Sequence, residues 1–343
     1  MERRNFLVGG AAGVAALSFG AQGASGHIQK IAATPPPLNR NLKGDFLDLT
    51  TPEGNREAMA RFMGSTDMQS TKYGWFEGVV YGVRPNEKNR ELFGFSGFSC
   101  AKLLPNLDGA PGYRKILREV AFYTDLETGN IIEEWTNPYL NETVKVVPIA
   151  NDPFNFIITG FVPQPPKYGG LNLEEAPEIP LHLDWSRRGD LLNLNQRVHL
   201  FYPAALQPNK WPRESNGPMN RVTETFMYQI DWNEMQDPNV GAVKTNGSWS
   251  RITPWLPWML MGPTEGHCVY NTFMGSGSSL DIVNPKILEY AERHFPKYLK
   301  APDVWEEPSL SSLEHYALEQ KPAPLPADGE VPFAPTADPM PFS

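Results

Sequence analysis

Proline is the residue that most limits what this chain can fold into. The sequence contains 34 prolines among 343 residues, roughly twice the ordinary frequency of about 5%. A proline inside a helix removes one backbone hydrogen bond and clashes with the preceding turn. Long uninterrupted helices are therefore disfavoured, and the core must be built mainly from shorter elements.

Short runs rich in aromatic and β-branched residues recur from Tyr73 to about Gly275, and turn-forming residues separate them. The turn sequence at 125–130 predicts a β-hairpin that joins strands 113–124 and 131–136. The other predicted strands are 75–83, 91–103, 143–147, 154–161, 181–187, 195–202, 221–232 and 242–252. No helical pattern lies between them, so the strands should pair in antiparallel order rather than in βαβ units.

Roughly ten strands are more than one open antiparallel sheet holds comfortably, because its edge strands would remain unpaired. Closure of the sheet hides these edges. The predicted fold class is therefore mainly β: an antiparallel β-barrel-like domain, calycin-like or a folded-over sandwich, with a few peripheral helices.

Two helices are predicted at the borders of this strand-rich region. Thr51 is suited to the N-cap and Pro52 to the first helical position, which predicts a helix over 52–63. Apolar residues at helical spacing predict a second helix over 285–299. The predicted organisation is a signal peptide over 1–25, an irregular segment over 26–50, a single β domain over 51–300 and a Pro-rich tail over 301–343. The tail should hold a short helix within 309–320 and continue from Pro322 as a disordered or wrapping arm.

The N-terminus is typical of a bacterial twin-arginine signal peptide. Arg3 and Arg4 precede a weakly apolar stretch over 8–19, and small residues follow it. About twelve apolar residues are too few to span a bilayer, so no permanent membrane anchor is expected. The prediction is export to the periplasm, or another extracytoplasmic site, with the twin-arginine translocase as a partner. This route carries folded proteins, often with a cofactor, but the sequence identifies none. A buried N-terminal helix is the alternative interpretation.

Charge and cysteine content narrow the range of partners. The formal net charge is −9, and no basic stripe of the kind that binds phosphate backbones is visible, so a nucleic-acid partner is not expected. Cys100 and Cys268 are too few for a disulfide scaffold. They are either two buried free thiols or a single pair oxidised outside the cytoplasm.

Several motifs resemble the bacterial and fungal family known as domain of unknown function 1838. The motifs are Tyr123-Thr124-Asp125, Gly129, Trp135-Thr136-Asn137-Pro138, Val144-Lys145-Val146, Asn151-Asp152-Pro153, Trp255-Leu256-Pro257-Trp258-Met259 and Met261-Gly262. The resemblance covers roughly residues 45–300 and implies one domain. Twin-arginine leaders are frequent in this family, which agrees with Arg3-Arg4. No activity is assigned to the family, so the resemblance implies no catalytic residue.

The segment from Arg251 to Gly277 contains the first candidate site. Prolines around two tryptophans predict a rigid aromatic loop, and loops carried by a sheet often hold binding residues. The candidate ligand-binding residues are Arg251, Trp255, Trp258 and Met259. The alternative is that the tryptophans and the methionine only plug one end of the domain.

The same segment contains candidate catalytic residues. His267 could exchange a proton near neutral pH, with Glu265 orienting it and Tyr270 as a further partner. A structural role for His267, bonded to a backbone carbonyl, is the alternative. Adjacent residues of a strand point to opposite faces, so a Cys268 nucleophile activated by His267 is disfavoured.

Two further groups of polar residues are weaker candidates. His182, Asp184 and His199 could hold Zn²⁺ or Fe²⁺ if their strands pair. Arg197 on the same face disfavours a cation, and a solvated polar face explains the pattern equally well. Carboxylates around the first hairpin, such as Glu119 and Glu133, are expected to pair with basic residues on a solvated face.

These observations lead to three functional hypotheses. The leading one is an exported protein that binds an apolar or aromatic small molecule in a β-barrel cavity. The first alternative is a cofactor-independent lyase, isomerase or hydrolase that acts on such a molecule and uses His267 as acid or base. The second alternative is a structural or partner-binding protein that acts through its C-terminal arm.

Overall fold

The computed structural model describes residues 41–163, 177–307 and 310–339. The predicted signal peptide over 1–25 and most of the segment over 26–50 lie outside these ranges. None of the helices in the described ranges has the length and apolar character needed to cross a bilayer.

Twelve strands and four α-helices make up the described part of the chain. The strands are β1 Lys72–Val83, β2 Arg90–Pro105, β3 Tyr113–Thr124, β4 Glu134–Asn137, β5 Glu142–Lys145, β6 Ile149–Asn151, β7 Phe156–Ile158, β8 Trp185–Arg188, β9 Leu191–Pro203, β10 Met219–Asp231, β11 Thr245–Thr253 and β12 His267–Gly277. The helices are α1 Pro52–Met63, α2 Trp232–Gln236, α3 Pro285–His294 and α4 Ser312–Glu319. A short 3-10 turn, Pro257–Met259, lies between β11 and β12.

Ten of the strands form one sheet in the order β6-β3-β2-β1-β12-β11-β10-β9-β8, and β7 pairs with β3 beside β6. Every strand pairing in this sheet is antiparallel. The prediction of a mainly β, antiparallel fold with few helices is confirmed. Within the described residues the strand path has two ends, β6 and β8, and no pairing joins them.

Two sequence expectations about pairing differ from the structure. The strand predicted at 131–136 does not extend the hairpin beyond a single bridge between Thr124 and Ile131, and β4 instead pairs with β5 in a separate two-stranded sheet. The region after the aromatic loop forms β12, which lies between β1 and β11 near the middle of the sheet. This strand lies beyond the last individual strand predicted from the sequence, 242–252.

The sheet is strongly curved. The strands β2 and β1 lie between β3 and β12, so a flat sheet would separate β3 from β12 by about 14 Å. The hydroxyl of Tyr123 on β3 nevertheless lies 3.2 Å from the hydroxyl of Tyr270 on β12. Side chains stand roughly perpendicular to a sheet, so the face that carries these two tyrosines must be concave.

Each face of the sheet has its own hydrophobic core. The concave face holds the larger core, where Phe62 of α1 packs against Trp185 and Tyr228. On the other face α3 buries Ile287 and Ala291 against β2 and β3. Because β2 is covered on both sides, most of its residues are buried without alternation.

The C-terminal segment lies along the domain. Ser311 and Glu314 form a capping box at the start of α4. The guanidinium of Arg84 donates to the carbonyl oxygens of Ala334 and Pro335 at 2.6 and 2.8 Å. The described part of the tail therefore wraps against the β domain.

Candidate functional site

A cavity of about 90 Å³ opens at one end of the concave face. It is lined by side chains from β3, β10, β11 and β12, by the loop 254–258 and by α4. The strands β3 and β10 are separated in the sheet by four others, so the curvature of the sheet brings residues that are distant along the strand order to one cavity.

An ion pair lies beside the cavity. Glu224 on β10 and Arg251 on β11 are direct cross-strand partners. The Nη1 atom of Arg251 lies 3.5 Å from Oε1 of Glu224, and the two side chains are 14% and 0% exposed. At this distance the pair is an electrostatic contact rather than a hydrogen bond of ordinary length.

Burial shifts the pKa values of the ionisable side chains beside the cavity. Desolvation raises the pKa of Glu224 to about 8, although the charge of Arg251 opposes the shift. Desolvation also raises the pKa of Glu119 on β3 well above its usual value, against a hydrogen bond from Asn151. Desolvation disfavours the charge of Arg251, but Glu224 and neighbouring tyrosines outweigh it and raise the pKa of the guanidinium. Burial therefore disfavours the ionised form of both carboxyl groups beside the guanidinium of Arg251. The buried Lys115 on β3, whose pKa is lowered to about 8 by desolvation, is a second basic group near Glu119.

Two tyrosines add neutral hydroxyl groups to the same interior. Burial raises the pKa of Tyr123 to about 12 and raises the pKa of Tyr270 well above its usual value. Their hydroxyls are 3.2 Å apart, and both residues line the cavity. They consequently remain protonated and can donate hydrogen bonds at physiological pH.

Several buried polar atoms around the cavity lack hydrogen-bond partners among the described residues. On residues that line the cavity, Arg251 Nε, Trp258 Nε1, Asn220 Nδ2 and His315 Nε2 make no hydrogen bond of ordinary length among the described residues, although Trp258 interacts with the hydroxyl of Tyr123 and Asn220 with that of Tyr202. Neither carboxyl oxygen of Glu224 makes a hydrogen bond of ordinary length among the described residues, beyond its electrostatic contact with Arg251. Buried polar groups in native proteins are nearly always satisfied, so this concentration indicates polar groups that a bound molecule or water would complete.

The aromatic loop forms a rigid apolar wall. The indole of Trp255 donates to the carbonyl of Thr264 at 3.0 Å, which holds the loop closed. The ring of Trp258 packs on Phe93 and Tyr123 with centroid distances of 5.3 and 5.0 Å. The loop is therefore preorganised around the cavity.

Most of the residues predicted from this loop line the cavity. Arg251, Trp255, Trp258 and Tyr270 all do so. Met259 is fully buried behind them, where its sulfur lies 3.8 Å from Cys268 Sγ, and it is not among the lining residues.

His267 and Glu265 lie away from the cavity. His267 is three residues before Tyr270 on β12 and therefore points to the opposite face. Burial lowers the pKa of its imidazole. The Glu265 carboxylate accepts a hydrogen bond of 3.0 Å from Thr336 of the C-terminal tail. The structure thus does not bring this pair to Tyr270.

The metal candidates remain on the surface. His182, Asp184 and His199 are exposed, and His199 Nδ1 lies 3.3 Å from Thr223 Oγ1. No group of three His, Cys, Asp or Glu side chains within the described ranges could hold a metal ion. Cys100 and Cys268 are buried free thiols in the cores of opposite faces.

Two acidic residues of the interior were not recognised from the sequence. Glu119 was expected on a solvated face, but it is fully buried and accepts a hydrogen bond of 3.0 Å from Asn151. Glu224 received no role. The strand pattern contained a sign of this burial for both residues. Glu224 lies on the same face of β10 as the apolar Val222 and Phe226. Glu119 lies on the same face of β3 as Leu117 and Ala121. A lone acid in the apolar phase of a strand predicts a buried carboxyl.

Fold and site together define a class: a mainly antiparallel β protein with a preorganised aromatic loop and a polar cavity on the concave face of its sheet. The family model described as "Protein of unknown function (DUF1838)" matches residues 68–319. The chain belongs to this family, and the resemblance seen in the sequence is confirmed. A search among curated proteins gives no significant match.

Proposed function

We propose that this protein binds an apolar or aromatic small molecule in the cavity beneath the aromatic loop. The observation that carries the proposal is the combination of apolar walls and unpaired polar atoms in one buried space. Ligand sites typically have this composition, because apolar walls supply affinity and a few polar groups set orientation. The curved sheet then serves as a barrel-like wall around the ligand.

A purely structural role explains the cavity less well. A buried donor without a partner costs about 1–3 kcal/mol, and several such atoms face the same region. A molecule that accepts hydrogen bonds explains the presence of the polar side chains.

An enzyme that acts on the same molecule is the second candidate function. The observation in its favour is the pair of Glu224 and Arg251: Arg251 lines the cavity, and Glu224 lies directly behind it as its buried cross-strand partner, with a raised pKa that favours proton exchange near neutral pH. Tyr123 and Tyr270 would stabilise an oxygen anion formed on the substrate. In this version the acid or base is Glu224, because His267 points away from the cavity.

We further propose that the protein acts outside the cytoplasm after export by the twin-arginine translocase. The support is the Arg3-Arg4 sequence and the apolar stretch that follows it. Cell fractionation tests the proposal: replacement of both arginines by lysine should retain the protein in the cytoplasm. Continued export of the double variant would refute it.

The binding proposal is tested with indole as a neutral aromatic probe and saturation-transfer NMR as the readout. Leu313 on α4 lines the cavity, so L313W should fill the space and weaken binding at least about tenfold. Leu318 on the same helix is 74% exposed and does not line the cavity, so L318W is the matched control. Equal binding to both variants, or no binding to the unmodified protein, would refute the proposal.

A further inference from the structure

The polar donors that line the cavity indicate which chemical group the ligand carries. Among the cavity-lining nitrogen atoms without a hydrogen bond of ordinary length, three are N–H donors of the sheet and its loop: Arg251 on β11, Trp258 in the 3-10 turn and Asn220 on β10. The fourth such nitrogen is Nε2 of His315 on α4. Trp258 and Asn220 are 3% and 8% exposed. All three donor residues line the same space.

We infer that the ligand carries a carboxylate and that Arg251, Trp258 and Asn220 bind its two oxygens. The inference rests on the proposed binding function and names the chemical class of the ligand. A planar guanidinium matches a carboxylate in shape and charge. The two neutral N–H groups supply additional donors without adding charge.

Glu224 does not occupy all the hydrogen-bond donors of Arg251. Nη1 of Arg251 lies 3.5 Å from Glu224 Oε1, and the Nε atom is buried without a hydrogen bond among the described residues. A guanidinium has five N–H donors. The arginine therefore has donors left for an external oxygen.

The acidic groups around the cavity leave room for an anion. Glu224 and Glu119 are buried, and desolvation raises the pKa of each carboxyl, which disfavours negative charge opposite Arg251. The buried Lys115 on β3 is a further basic group near Glu119. Glu214 also lines the cavity: one of its oxygens accepts a hydrogen bond of 2.5 Å from the Ala323 N–H, and the other is buried without a hydrogen bond among the described residues. Glu319 of α4 is a further lining residue.

A neutral carbonyl ligand could use the same N–H donors, and charge distinguishes the two cases. The test compares phenylacetate with its neutral analogue phenylacetamide by isothermal titration calorimetry at pH 7 on the full chain. Phenylacetate should bind at least about tenfold more tightly, because hydrogen bonds to charged groups are about twice as strong as neutral ones.

Substitutions of the lining residues test whether the preference for phenylacetate arises in this cavity. R251M should reduce the phenylacetate preference to near unity. R221M is the matched control, because Arg221 lies on the adjacent strand β10, is exposed and points to the opposite face. W258F removes one donor and keeps an aromatic ring, and it should weaken phenylacetate binding about threefold or more. This variant keeps the inference testable if R251M fails to fold.

The outcomes separate this inference from the binding proposal. Equal affinity for both probes, or a preference for phenylacetate that survives R251M, would overturn the carboxylate inference while binding itself stands. An unchanged affinity of W258F for phenylacetate would also contradict it. Failure of phenylacetate, phenylacetamide and indole to bind at all would overturn the binding proposal, and the inference with it.

Discussion

Replacement of Glu224 by glutamine should remove a defined part of the pH dependence of stability. Burial raises the pKa of this carboxyl from 4.5 to about 8 in the folded protein. Between these values the folded state keeps a proton that the unfolded chain has lost. The free energy of unfolding therefore falls as the pH rises through this window, and the contribution of Glu224 to stability is greatest in acid.

The magnitude follows from the size of the shift. One pH unit corresponds to about 1.4 kcal/mol for a single proton, so the displacement from 4.5 to about 8 corresponds to roughly 5 kcal/mol. Between pH 5.5 and 7.5 the expected loss is roughly 3 kcal/mol. Glutamine has nearly the same shape and stays neutral at every pH, so its contribution should not change.

Urea unfolding followed by tryptophan fluorescence at pH 5.5, 6.5 and 7.5 measures this contribution. Other groups also titrate, including His267 and His315, whose pKa values are lowered by burial. They are present in both proteins, so their effects largely cancel in the difference between wild type and E224Q. E127Q, which changes an exposed glutamate, is the control and should follow the wild type.

The reasoning is refuted if the difference in unfolding free energy between wild type and E224Q stays constant within about 0.5 kcal/mol across this range. A difference that grows in favour of the wild type with rising pH would also refute it, because the sign would be reversed. Such results would mean that water or a bound cation solvates the carboxylate of the folded protein.

Three further predictions concern the core. K72M should lower the free energy of unfolding, measured by urea titration, by about 2–4 kcal/mol. The reason is that Lys72 Nζ donates to the carbonyls of Arg61, Phe62 and Val243. An unchanged unfolding midpoint would contradict this prediction. N55L should cost about 3 kcal/mol or more by the same measurement, since Asn55 bonds Leu49, Thr51, Leu183 and Trp185 from a fully buried position. Cys100 and Cys268 should not react with a thiol reagent until the protein unfolds, because burial raises the pKa of each thiol to about 12; rapid labelling of the native protein would show that the cores open.

Local sequence signals were sufficient for several elements. Thr51 and Pro52 predicted α1 with its observed bounds, because the N-cap and the first turn depend on adjacent residues. The turn at 125–130 marked the end of β3 at Thr124. The start of α3 at Pro285 was likewise predicted, and its last predicted turn proved to be a 3-10 helix over Pro296–Leu299.

The candidate site could be predicted only in part. The aromatic loop was visible because Trp255, Pro257 and Trp258 lie close together in the chain. The interior position of Glu119 was not, since the choice between solvent and core depends on which face of the sheet is covered. His267 was a reasonable candidate by residue type, and only the phase of β12 shows that it faces away from Tyr270.

The amino-acid sequence by itself determined the family, the antiparallel β class and the short elements, because these depend on residue type and on neighbours along the chain. The tertiary structure alone decided that Tyr123, Glu224, Arg251 and Tyr270 surround one interior. Glu224, Arg251 and Tyr270 are neighbours on the consecutive strands β10, β11 and β12, and the curvature of the sheet brings Tyr123 of the distant β3 to them. That curvature is a collective result of twist and packing, which no single segment encodes.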